Sequence, residues 1–134
     1  MRLDFLSLLG RIETPVYFLA TQEDHIAPWR SVYAGAQLPA GPVAFVLGES
    51  GHIAGVINPP AARKYGYRTQ AERPATPEAW LETATLYPGS WWLHWREWIA
   101  PHSGPQVSAR VPGDGGLQPL DDAPGSYVKV PGVE

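Results

Sequence analysis

The chain has 134 residues, 44% of them hydrophobic and 17% charged, with a formal net charge of −3. That length suits about one small domain, and the charge balance, with no run of five like charges, argues against nucleic acid as a partner. There is no cysteine, which excludes disulfides, thiolate-rich metal sites and a cysteine nucleophile within this chain.

The first residues, Met1-Arg2-Leu3-Asp4-Phe5-Leu6, carry an early acid and lack the long apolar stretch of a signal peptide. No run approaches the roughly eighteen apolar residues of a membrane span. A cytoplasmic location is therefore expected. Leu3, Phe5, Leu6, Leu8 and Leu9 ahead of Gly10 suggest a short helix or turn over residues 3–12. Thr14-Pro15 breaks it, and Val16-Tyr17-Phe18-Leu19-Ala20 reads as a strand buried on both faces. A polar exit follows from Thr21 to His25. Pro28 suits a first helical turn, and Trp29, Val32, Tyr33 and Ala36 then fall at i, i+3, i+4 and i+7, giving one apolar face.

Pro39, Gly41 and Pro42 close that helix, and Val43-Ala44-Phe45-Val46-Leu47 repeats the buried-strand pattern up to Gly48. Strand, helix, strand implies two parallel strands joined by a right-handed crossover. Both polar exits, 21–27 and 48–55, then lie on one edge of an α/β sheet, the edge where such sheets bind ligands. Arg63, Lys64, Arg68 and Arg73 read as a solvated basic loop. Thr76-Pro77-Glu78 opens a helix running to Tyr87, where Pro88-Gly89 stops it. Ser90 suits the cap of the next helix, in which Trp91, Trp92, Trp95, Trp98 and Ile99 make a face wide enough to bury several rings before Pro101. From residue 101 onward Pro and Gly recur with few long apolar side chains, predicting an irregular tail over 101–134 after an ordered portion over 1–100.

The chemistry rests on Asp24 and His52, one on each polar exit. An imidazole can take and return a proton near neutral pH, and a carboxylate on its second nitrogen fixes the tautomer and stabilises the imidazolium. Acid before histidine, on loops after late strands, is also the order in α/β-hydrolases. Gly51 and Gly55 are expected to permit the sharp turn that aims His52 across the sheet edge. Other readings stay open: Asp24 as a helix cap, Glu23 as the acid, His25 as the working imidazole, or His52 as a satisfied core histidine. Gly48-Glu49-Ser50-Gly51-His52 resembles the G-x-S-x-G serine elbow only superficially, since histidine replaces the last glycine. The four histidines have no metal-ligand spacing, so neither metal nor cofactor is expected.

Gly51-His52-Ile53-Ala54-Gly55-Val56-Ile57-Asn58-Pro59-Pro60, preceded by Glu23-Asp24-His25-Ile26-Ala27-Pro28-Trp29, resembles the C-terminal part of class I polyhydroxyalkanoate synthases. Gly89-Ser90-Trp91-Trp92-Leu93-His94-Trp95 and Ala123-Pro124-Gly125-Ser126-Tyr127-Val128-Lys129 resemble the same family. The resemblance implies the C-terminal strand-helix-strand portion of an α/β-hydrolase catalytic domain, followed by helices and a Pro/Gly-rich tail. It implies polymerisation of (R)-3-hydroxyacyl groups from coenzyme A thioesters, with the growing polyester held on a cysteine. By position, Asp24 matches the family's catalytic aspartate and His52 its catalytic histidine. The cysteine, its elbow and the oxyanion hole lie upstream in that family, so this chain is expected to be inactive alone. Its implied partners are the acyl-coenzyme A and polyester of the full-length enzyme, a second copy or an upstream synthase portion, and the polyester granule surface.

Overall fold

Two continuous apolar, β-prone runs form adjacent strands. A computed structural model describes residues 8–132. The N-terminal reading of a signal-free start therefore lies outside the described residues, as does most of the helix or turn expected over 3–12. Val16–Thr21 forms β1 and Val43–Gly48 forms β2. They pair in parallel, Val16 opposite Val43 and Thr21 opposite Gly48. Trp29–Ala36 between them is α1. Successive strand residues point to opposite faces. Phe18 and Ala20 of β1 and Val43, Phe45 and Leu47 of β2 accordingly share one face with Trp29, Tyr33 and Ala36 of α1. The predicted strand-helix-strand unit is present, and the helix covers the sheet with its predicted apolar stripe.

The same core admits Trp80 from α2, Pro77–Thr83. Phe45 sits between two rings, edge-on to Tyr33 and to Trp80 with centroids 4.9 Å away in each case. Edge-to-face pairs add about 0.5–1.5 kcal/mol beyond their buried area. Thr76 caps α2 by accepting the Ala79 N–H through its hydroxyl, with Pro77 and Glu78 in the first turn. The expected opening of this helix holds, but its expected end at Tyr87 does not. Ala84 is already extended, at φ −68° and ψ 132°, and Thr85–Pro88 forms a strand, β4. Tyr87 stacks on Tyr67 across the strands instead of continuing the helix.

Tyr67 belongs to β3, Gly66–Thr69, inside the stretch expected to be a solvated basic loop. β3 runs antiparallel to β2 and to β4, so the sheet is mixed, with order β1-β2-β3-β4. Arg68 lies in the strand and donates to the Ala84 carbonyl at 3.4 Å, and Arg73 donates to the Ala36 carbonyl at 2.7 Å, satisfying an open carbonyl at the C-terminal end of α1. These basic groups serve backbone acceptors.

Trp92–Ile99 forms α3 against the other face of the sheet. Tyr17 on β1 packs against Trp91, His94 and Trp98, and its hydroxyl lies 2.9 Å from His94 Nδ1. Ser90 accepts the Trp92 N–H, but the N-cap position is Trp91, with no side-chain cap bond, so the expected Ser90 cap falls one residue early. The broad burial expected of the tryptophan face is not seen: no residue of α3 is fully buried, and Trp95 is 43% exposed. The chain divides into a unit ending at Ser103 and a second from Gly104. In the second, backbone hydrogen bonds close short turns such as Asp114 to Val111 and Gly125 to Asp122, with one 3-10 turn at Tyr127–Lys129. No helix among the described residues is long and apolar enough to cross a membrane.

Candidate active site

Asp24 and His52 meet at the carboxyl ends of β1 and β2, with Asp24 Oδ2 2.7 Å from His52 Nδ1. Their placement follows from the parallel pairing, which carries the two strand exits to one edge. Backbone bonds then tie the exits together: Gln22 N–H donates to the Gly48 carbonyl at 2.8 Å and Glu23 N–H to the Ser50 carbonyl at 3.0 Å.

The aspartate is held by its own turn. Its Oδ1 accepts the N–H groups of Ile26 and Ala27, both at 2.8 Å, leaving Oδ2 for the imidazole. Asx turns of this kind stabilise a local chain reversal through the side chain. These bonds stop short of α1, whose N-cap is Pro28 with no side-chain cap, so Asp24 does not act as its helix cap. The Ala27 N–H, then His52, then Ile26 hold the carboxyl down at about 2, against the opposing effect of burial. Oδ2 is therefore ionised at neutral pH and accepts from an Nδ1–H, the tautomer that in a neutral imidazole leaves Nε2 as the acceptor nitrogen.

The asymmetry of exposure fits those roles. The Asp24 side chain is 7% exposed and that of His52 is 45% exposed. His52 is thus no core histidine. Glu23 and His25 are exposed, and neither is brought to the other's partner. Ser50 adopts the left-handed conformation at φ 69°, a position expected of glycine. The sharp turn therefore falls on Ser50, and neither Gly51 nor Gly55 has positive φ. Gly55 answers a different need, since a Cβ there would lie 2.5 Å from both the Glu49 carbonyl and Thr21 Cγ2. Only hydrogen lets this part of the loop settle onto the end of the sheet.

Two tryptophans finish the support. Trp91 Nε1–H donates to the Gly55 carbonyl at 3.1 Å and Trp92 Nε1–H to the Val56 carbonyl at 3.0 Å. Asn58 is buried and donates to the Lys64 carbonyl. The sequence reading had no role for these indoles near His52. The only available signal was their place at the start of a helix, which does not reveal a contact 36 residues away. Beside this loop lies an apolar cavity of about 530 Å3, lined by Val56, Ile57, Pro60, Trp91, Trp92 and Trp95 among others. Among the described residues, no group of three His, Cys, Asp or Glu side chains is placed to hold a metal ion.

No family model matches the chain. Individual proteins do. Poly(3-hydroxyalkanoate) polymerase subunit PhaC of Rhizobium etli is 51% identical over 120 residues, 90% of this chain and 19% of that protein. Poly(3-hydroxyalkanoate) polymerase of Methylorubrum extorquens is 46% identical over 91% of the chain and 20% of its own length. The PhaC subunit of Cupriavidus necator is 43% identical over 90% and 21% respectively. The chain spans about a fifth of the length of these relatives. Along nine-tenths of its sequence the chain is thus similar to poly(3-hydroxyalkanoate) polymerases, matching about a fifth of the length of each.

Proposed function

We propose that this chain is the C-terminal, acid-and-histidine portion of a polyhydroxyalkanoate synthase, with residues 1–100 completing an α/β-hydrolase catalytic domain and 101–134 forming its tail. The observation that carries this reading is the 2.7 Å bond between Asp24 Oδ2 and His52 Nδ1, in a chain related to poly(3-hydroxyalkanoate) polymerases. In this reading a cysteine from the rest of the synthase provides the nucleophile. His52 Nε2 takes the thiol proton, the sulfur attacks the thioester carbonyl of an (R)-3-hydroxyacyl-coenzyme A, and the bond to coenzyme A breaks. The departing thiolate recovers a proton from the imidazolium, which Asp24 stabilises. Thiolate chemistry suits this step because sulfur becomes strongly nucleophilic once a base stands beside it. The next acyl-coenzyme A, its 3-hydroxyl activated at the same pair, attacks the acyl–cysteine carbonyl: the ester forms and the cysteine–acyl bond breaks. The cysteine thiolate recovers the hydroxyl proton through the pair, and the cysteine then takes the lengthened chain from coenzyme A as before. The chain works in the cytoplasm at the polyester granule surface and is inactive by itself.

The test mixes the purified chain with an upstream synthase polypeptide carrying the cysteine and follows coenzyme A release from 3-hydroxybutyryl-coenzyme A. Activity should require both parts. It should fall by about 10²- to 10⁴-fold with Asp24→Asn or His52→Gln. Undiminished turnover in both variants would overturn the assignment. A second reading, a non-catalytic module binding a synthase subunit or a granule, is favoured by the exposed Ile57, Leu93 and Trp95 around the apolar cavity. Granule binding without turnover in the same mixture would support it.

A further inference from the structure

Glu49 is the first residue beyond β2, and its bonds are unusual for a strand exit. Its N–H donates to the Gly66 carbonyl at 2.9 Å, and its side-chain Oε2 accepts the Gly66 N–H at 2.6 Å. Residues 49 and 66 thus exchange two hydrogen bonds, as a ladder pair does, but one acceptor is a carboxylate in place of a backbone carbonyl. The substitution has a geometric use. It extends the β2–β3 pairing one step past Gly48 and Tyr67 while releasing the Glu49 carbonyl, which turns toward Gly55. The chain can then leave the sheet at Ser50, in the left-handed conformation, and reach His52 two residues later.

Both ends of this clamp are confined. Gly66 is buried, and a Cβ there would lie 2.8 Å from the Tyr87 carbonyl and 3.2 Å from Glu49 Oε2. A buried N–H without an acceptor is costly, so Gly66 needs the carboxylate. Among the described residues Glu49 has no ion-pair partner; the ion pairs present are Arg30 with Glu78 and His52 with Asp24. What the side chain contributes is therefore an acceptor of the right length rather than a charge. On the other side the same loop is held by the Glu23 N–H on the Ser50 carbonyl. Glu49 secures the flank toward β3, and Glu23 secures the flank toward Asp24.

We propose that Glu49 is a positioning residue for His52: its carboxylate, clamped on the Gly66 N–H, sets the register of the 49–52 turn that lays the imidazole on Asp24. This rests on the reading of Asp24 and His52 as a working pair, where a displacement of about 1 Å can cost 10²-fold in rate.

The test reads the pair directly in the 134-residue chain. NMR follows the His52 Nδ1–H proton with and without Asp24→Asn, giving the downfield change that the bond to the aspartate causes. The comparison is made with Glu49, Glu49→Gln and Glu49→Ala. Glutamine keeps the acceptor and should preserve both the Asp24-dependent change and slow exchange of the Gly66 amide. Alanine should at least halve the change and speed Gly66 exchange about tenfold or more. Full Asp24 dependence with Glu49→Ala would overturn the clamp while leaving the pair intact. No effect of Asp24→Asn even with Glu49 present would overturn the pair, and the clamp's purpose with it. If Glu49→Ala does not fold, Glu49→Asp, one methylene short of Gly66, is read the same way. Loss of the Trp80 indole signal in both variants would also overturn the proposal, because Glu49 would then hold the whole fold and not one turn.

Discussion

The two oxygens of Asp24 have separate tasks, and the separation explains why one carboxylate can be both anchor and partner. Oδ1 is fixed by the Ile26 and Ala27 amides, so Oδ2 needs little further ordering to face His52. The same bonds hold the carboxyl at about 2, below its ordinary 3.8. A carboxyl with a lowered folded-state pKa contributes stability that is complete above the unfolded value and lost as pH falls toward the folded one. For Asp24 the window runs from about pH 4 down to about pH 2. Urea midpoints measured through that window should fall more steeply for the parent chain than for Asp24→Asn. Parallel curves would show that the turn does not hold the carboxylate. Asp24 and His52 were legible in the sequence because the strand pattern put both exits on one edge. The donors that fix them were not, since amide bonds from Ile26 and Ala27 and indole bonds from Trp91 and Trp92 depend on local geometry that residue type alone does not encode.

Among the elements, the legible ones were those whose burial is repeated along several residues. β1 and β2 are unbroken apolar runs and α1 repeats its apolar residues at helical spacing, so each pattern is visible in the residues themselves. β3 and β4 are four residues each, carry Arg68, Thr69 and Thr85, and include Gly66 at the start of one and Pro88 at the end of the other, so neither builds up a period. Their pairing with β2 is tertiary information. Between the layers, Phe45 contacts both Tyr33 of α1 and Trp80 of α2, and is 1% exposed. Phe45→Ala should therefore destabilise the chain by about 3–5 kcal/mol, through lost transfer energy and the cavity left behind. Equilibrium urea unfolding measures it, and a loss under about 1 kcal/mol would mean that the helices do not depend on this ring. On the other face, burial lowers the pKa of His94 against the opposing pull of Glu97. Its neutral Nδ1 can then accept from the Tyr17 hydroxyl, linking α3 to β1. An NMR titration of His94 should give a midpoint below the ordinary 6.5. The corresponding stability is present above about pH 6.5 and lost as the pH falls below it. A midpoint above 6.5 would contradict the docked helix.

At the scale of the whole chain, the two units differ in what could hold them folded. The unit ending at Ser103 has a sheet, helices and the aromatic core around Phe45 and Trp80. The unit from Gly104 has no buried residue among those described, and Val107, Leu117, Leu120 and Tyr127 are each more than four-fifths exposed. Its backbone bonds are short-range turns, which contribute little once the entropy of ordering them is counted. Exposed apolar side chains add no burial energy, Gly raises the entropy lost on ordering, and Pro fixes φ without packing the chain. The second unit therefore has little with which to stabilise a fold of its own. Ending the chain after Ser103 should leave the urea midpoint and the Trp80 indole signal of the first unit unchanged, within about 0.5 kcal/mol. It should also leave the Asp24-dependent His52 Nδ1–H signal intact, because every residue that holds the pair lies before Ser103. If removing residues 104–134 shifted either measurement substantially, the tail would be part of the folding unit that carries the site.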